Sequence, residues 1–141
     1  MKTKTVLAAV ILTLAVLLAG ACRSAAPSGG ERVLKSAKSG EMTVNLVSPT
    51  GELKSGDNEV LLTFTDAAGK PVDVGAASLN FHMAGMGTMA EMNDRATLTT
   101  TETPGKYRAR VHIGMAGTWE AQVKYQGSHG TGQVNMNVQA K

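Results

Sequence analysis

From Glu41 to the end of the chain, apolar residues recur at every second position, in short runs separated by turn-forming residues. A period of two marks a strand with one buried face. The runs are Met42, Val44 and Leu46, then Val60, Leu62 and Phe64, then Ala77, Leu79, Phe81 and Met83. Ala96 and Leu98 follow in a threonine-rich stretch from Arg95 to Thr101. Tyr107, Ala109, Val111 and Ile113 come next, then Trp119, Ala121, Val123 and Tyr125, and finally Val134, Met136 and Val138. Between them stand Ser48-Pro49-Thr50-Gly51, Asp66 to Pro71, Thr103-Pro104-Gly105-Lys106 and Gly127 to Gly132. These are turn sequences: glycine accepts positive φ, and proline cannot donate within a central ladder. The expectation is an all-β chain, an immunoglobulin-like antiparallel β-sandwich of about seven strands over residues 41–141. Trp119 belongs in its core.

The first forty residues read differently. Lys2 and Lys4 precede an apolar run from Val6 to Leu18 and then Ala19-Gly20-Ala21-Cys22. A basic start, a short apolar stretch and small residues before a cut site describe an export signal over residues 1–21. The run is short for a membrane span. Leu18-Ala19-Gly20-Ala21-Cys22 resembles the lipobox of bacterial lipoproteins, which makes Cys22 the lipid-bearing residue; ordinary cleavage after Ala21 or an uncleaved anchor are the alternatives. Residues 22–40 are rich in Ser, Ala, Gly and Lys and read as a flexible tether. Cys22 is the only cysteine. The domain therefore has no internal disulfide and depends on its core.

Charge excludes one class of partner. The formal net charge is +3, and removing Lys2 and Lys4 with the signal leaves +3 − 2 = +1. Nucleic acid calls for a concentrated basic face and stacking aromatics, and this chain offers neither.

The segment with chemical character runs from Phe81 to Met92. Met83, Met86, Met89 and Met92 are four of the eight methionines, each three residues after the last, and His82 leads in. If the sandwich connections alternate between its two ends, the stretches 48–57, 84–94 and 114–117 share one end. Met115 then joins the four methionines there, with His82 and His112, while His129 lies at the far end. Thioether sulfur is a soft, uncharged donor that suits Cu(I), and imidazole adds affinity. Hard cations want oxygen ligands, which this segment barely supplies. The candidate metal ligands are Met83, Met86, Met89, His82, Met115 and Met92. The same residues also suit two other roles: methionine fills irregular apolar gaps, and a methionine-rich loop makes an adaptable docking surface.

Four further motifs stand in order: Asp66-Ala67-Ala68-Gly69-Lys70-Pro71-Val72, Met83-Ala84-Gly85-Met86-Gly87-Thr88-Met89, Pro104-Gly105-Lys106-Tyr107 and Met115-Ala116-Gly117-Thr118-Trp119. On these, the span from about Glu52 to Tyr125 resembles the YtkA-like domain, related to the periplasmic part of FixH proteins. Where that family shows Met-Pro-x-Met-Gly-His-Met, this chain has Ala84 for the proline and Thr88 for the histidine. The sulfurs carry over at Met83, Met86 and Met89; the central imidazole does not, which points away from strong Cu(II) binding. The resemblance implies an immunoglobulin-like sandwich exported from a bacterial cell, in settings of copper handling, respiratory oxidase assembly or heavy-metal efflux.

The expected function is a membrane-tethered extracytoplasmic protein of the bacterial cell envelope that binds copper, as Cu(I), through its methionine-rich loop. Its expected partners are the membrane, through lipid on Cys22, and an envelope metal-transport or oxidase-assembly protein. The alternative is a metal-free interaction module docking on an efflux or respiratory complex. No nucleophile–base pair, convergent carboxylates or phosphate loop is visible, so the chain is not expected to be an enzyme.

Overall fold

The structure, a computed structural model, describes residues 30–141. The signal segment 1–21, the lipidation candidate Cys22 and the start of the tether lie outside the described residues. Nine strands follow one another: β1 (Arg32–Ser39), β2 (Met42–Ser48), β3 (Gly56–Thr65), β4 (Ala76–Met83), β5 (Met92–Arg95), β6 (Thr97–Thr100), β7 (Lys106–Ile113), β8 (Gly117–Gly127) and β9 (Gly130–Ala140). They form two antiparallel sheets, ordered β1-β2-β3-β7-β6 and β5-β4-β8-β9, stacked as a sandwich.

Each of the seven alternating runs contributes a strand, and its apolar parity faces the core. Val44, Leu46, Val60, Leu62, Phe64, Leu79, Phe81, Ala109, Ile113, Trp119, Ala121 and Val123 are all fully buried. Burying a side chain of Val, Leu or Phe size contributes about 1.5–3 kcal/mol, so this set is the main source of stability in a domain without disulfides. Phe64 meets Tyr107 and Tyr125 edge-on, with ring centroids 5.8 and 5.5 Å away. The polar ends of the buried rings are satisfied. Tyr107 Oη donates to Gly75 O (2.8 Å), Tyr125 Oη shares a hydrogen bond with Ser39 Oγ (2.7 Å), and Trp119 Nε1 donates to Met115 O (3.0 Å).

Two strands exceed the seven expected. The first is β1, within the stretch expected to be tether. It is an edge strand that pairs with β2, and its ladder shifts register between Val33 and Lys35. The bulge lets both Leu34 and Ala37 pack against the core, an odd spacing that period-two counting does not register. Lys35 and Lys38 keep the exposed edge charged. The second is β5. It takes Met92 to Asp94 from the stretch 84–94 expected as a connection and only Arg95 from the strand expected over Arg95 to Thr101; the chain changes sheet at buried Ala96, with β5 paired to β4 before it and β6 to β7 after it.

The registers fix which connections share an end. Ile113 closes β7 opposite Gly56, and after a three-residue link Gly117 opens β8 opposite Ala140. Leu53, in the β2–β3 connection, bridges to Ala140, and Ser55 N–H donates to Lys141 O (2.7 Å). Gly114 N–H donates to Asp94 Oδ2 (2.9 Å), which ties the β7–β8 link to β5. The β2–β3, β4–β5 and β7–β8 connections therefore meet at one pole, with the C-terminus. The β8–β9 turn, with His129, lies at the other.

Candidate functional site

The β4–β5 connection is a hairpin. Met83 pairs with Met92 at the ends of the strands, and Met86 bridges to Met89 further out. Both pairs are nested around one centre, the turn at Gly87-Thr88. Met86 N–H donates to Met89 O (3.1 Å) and Met89 N–H to Met86 O (2.9 Å), closing that turn. Gly87 takes φ +59° there, a value that costs a residue with a Cβ roughly 1–2 kcal/mol.

The hairpin explains what a three-residue spacing does. Three is an odd step in a pleated chain, so it moves from one face of a ribbon to the other. Met83 has the core-facing parity and Met86 the opposite one, and the burial agrees. Met83 is 6% exposed, whereas Met86 is 64% and Met89 45% exposed. Met92, cross-strand from Met83, is half-buried and packs against the core.

Glycines opposite the inner pair make room for it. A Cβ at Gly117 would stand 2.9 Å from the Met83 methyl, and one at Gly114 would stand 2.4 Å from the Met92 methyl. Met115, in the link between those glycines, is half-buried against the core, and its carbonyl receives the Trp119 indole N–H. Met83, Met92 and Met115 thus gather at the floor of the pole. Met86 and Met89 stand above them at the tip.

His82 and His112 are placed on the sheets' outer faces. His82 is cross-strand from Asn93 and Glu120, and its Nδ1 lies 3.2 Å from Asn93 Oδ1. In an extended ribbon the four steps from His82 to Met86 span roughly 13 Å, so the imidazole sits below the tip rather than beside it. His112 is at the same pole, with Nδ1 2.8 Å from Asp57 Oδ1. Glu52 forms an ion pair there with Lys141 (2.5 Å), and this hydrogen bond, with the lysine's charge, holds its carboxyl below the ordinary carboxylate value.

Among the described residues, no group of three or more His, Cys, Asp or Glu side chains is placed to hold a metal ion. Hard or borderline cations therefore have no ready cage there. Three large apolar side chains are exposed among those residues: Val33, Met86 and Met89. The sequence spacing did not distinguish the tip pair from the inner pair. The signal that separates them is Gly87-Thr88, read as a two-residue hairpin turn, because it fixes which methionines face each other.

Fold and site together describe a β-sandwich whose one pole carries a hairpin tipped with two thioethers. A model of the YtkA-like family matches residues 36–124, and the chain belongs to that family. No curated protein matches it. Among solved structures it is similar to FetP of uropathogenic Escherichia coli strain F11 in its as-isolated form. That likeness has 11% identity, covers 77% of this chain and 95% of that one, and has a TM-score of 0.48. It is also similar to a copper-bound variant of the same protein, at 10% identity, the same coverage and a TM-score of 0.45. Neither likeness bears on what this chain binds.

Proposed function

We propose that this is a non-catalytic, lipid-tethered protein of the bacterial cell envelope that carries Cu(I) on the tip of its β4–β5 hairpin. The observation that supports it is the pair Met86 and Met89, cross-strand neighbours across a tight turn and both open to solvent. Their donor set is soft and neutral, and it matches Cu(I) rather than Ca²⁺, Mg²⁺ or Zn²⁺. Thioethers bind without losing a proton, so uptake through them is insensitive to pH. Two sulfurs leave coordination positions free for a donor from a partner, which suits a carrier better than a store. Met83, Met92 and Met115 support the hairpin from below, and His82 stands lower on the outer face as the nearest imidazole on the same strand.

The test is an anaerobic competition titration of the full processed chain with a chromogenic Cu(I) chelator, joined to X-ray absorption at the copper edge. The expected result is one Cu(I) per chain in a sulfur-containing shell. A chain that leaves all the copper on the chelator contradicts the proposal.

A second function is favoured by the same two side chains, because they are also the hairpin's exposed apolar surface. In it the tip docks on an efflux or respiratory complex without metal. Complex formation that persists under copper chelation supports docking, and formation that is lost with the metal supports the carrier.

A further inference from the structure

Cys22 is the only cysteine and lies outside residues 30–141, so among the described residues there is no thiol. Sulfur chemistry in the domain therefore belongs to methionine, whose thioether is oxidised reversibly to the sulfoxide. Every methionine except Met1 is in the domain, and their exposures differ widely. Met86 is 64% and Met89 45% exposed, against 6% for Met83 and 2% for Met136. Met42, Met92 and Met115 are half-buried against the core.

The surroundings differ in the same sense. The Met83 and Met92 methyls lie close against Gly117 and Gly114. Oxidation of either side chain would put a polar oxygen at the edge of the core, which is costly without a hydrogen-bond partner. An oxygen added at Met86 or Met89 faces water instead. The turn between them is closed by backbone atoms alone, Met86 N–H to Met89 O and Met89 N–H to Met86 O, so it does not depend on the thioethers. The tip can be oxidised without loss of packing.

We propose that Met86 and Met89 are a reversible oxidation site, and that oxidation there switches off the tip as a soft-metal ligand. Its effect on metal rests on the Cu(I) function proposed above. The oxidant is a peroxide of the extracytoplasmic space. A sulfur lone pair attacks one peroxide oxygen, and the S–O bond forms as the O–O bond breaks. With hydrogen peroxide, the departing oxygen takes the proton from the transferred one and leaves as water. Sulfur loses two electrons and the peroxide gains them. The sulfoxide has an electron-poor sulfur and presents a hard oxygen, a donor that suits Cu(I) poorly. Because the site is open, a reductase can reach it and restore the thioether.

The test exposes the full processed chain, metal-free and with a chelator present, to hydrogen peroxide. Peptide mass spectrometry follows each methionine. If rate follows exposure, Met86 should oxidise about tenfold faster than Met83, the ratio of 64% to 6%. Met89 should keep pace with Met86, and Met136 should lag with Met83. With the tip oxidised, the near-ultraviolet circular dichroism of Trp119 should be unchanged, since the indole is packed in the core. Cu(I) uptake, measured by competition after the peroxide is removed, should be lost. Methionine sulfoxide reductases specific for the two epimers should restore it. Similar rates at Met83 and Met86, loss of the Trp119 signal on tip oxidation, or full Cu(I) uptake by the oxidised tip each overturn the inference. A chain that takes up no Cu(I) before oxidation, yet is oxidised selectively and reversibly at the tip, defeats the carrier function and leaves the oxidation site standing.

Discussion

The β4–β5 hairpin holds two methionine pairs, and they differ in almost everything except residue type. Met83 and Met92 face each other at the base, with their methyls in space that Gly117 and Gly114 leave open. Met86 and Met89 face each other at the tip, where no neighbouring element covers them. The inner pair exchanges water for packing and contributes to stability. The outer pair keeps its sulfurs open to solvent. On the proposed function, one residue type serves as filler and as ligand within ten positions, and the parity of the strand decides which.

The largest test of that contrast is truncation at its base. Met83→Ala is expected to cost about 2–5 kcal/mol in denaturant unfolding, the range for a buried methionine. Met86→Ala should stay within about 0.5 kcal/mol, as for an exposed site. Equal costs would erase the distinction.

A smaller effect tests the seat of the inner pair. Gly117 has φ +144° and lies under the Met83 methyl, so Gly117→Ala is expected to cost about 1–3 kcal/mol. Part of this is the contact with Met83. In the double variant with Met83→Ala the two costs should sum to less than their separate values, by about 0.5 kcal/mol or more. Strict additivity would show that the methyl contact contributes nothing.

At the tip, Gly87→Ala is expected to cost about 1–2 kcal/mol, through backbone conformation alone, because a Cβ there meets nothing. It should also weaken Cu(I) uptake by disturbing the facing of Met86 and Met89. Unchanged stability together with unchanged uptake would mean that the turn does not set the pair.

The smallest effect concerns the exposed charges of the same pole. Lys141 lowers the Glu52 pKa, so the pair adds stability above the ordinary carboxylate value and loses it as pH falls through the lowered one. Glu52→Gln should remove that acid-side slope with little change at neutral pH. A large neutral-pH loss would show that the ion pair holds the pole together.

Much of the fold was legible because buried strands announce themselves by alternation, from Val44 and Leu46 through to Val134 and Val138. The strands that escaped lack that signal. The bulge at Leu34 breaks the period in β1, and β5 has Met92 as its sole apolar residue. At the site, the gathering of the 84–94 and 114–117 connections followed from strand order alone, since hairpins return the chain to alternate ends. The separation into two pairs did not, because it depends on the turn at Gly87-Thr88 and on the depth at which each side chain stops. Composition is blind to both.

The central claim is that the outer pair binds metal and the inner pair does not. Anaerobic Cu(I) competition titrations of Met86→Leu/Met89→Leu and of Met83→Leu/Met92→Leu test it directly. Leucine keeps the volume, so each change should cost less than about 1.5 kcal/mol per site and leave the sandwich folded. The outer double variant is expected to take up no Cu(I), and the inner one to match the unaltered chain. Full uptake by the outer variant, or its loss from the inner variant while folded, would contradict the account.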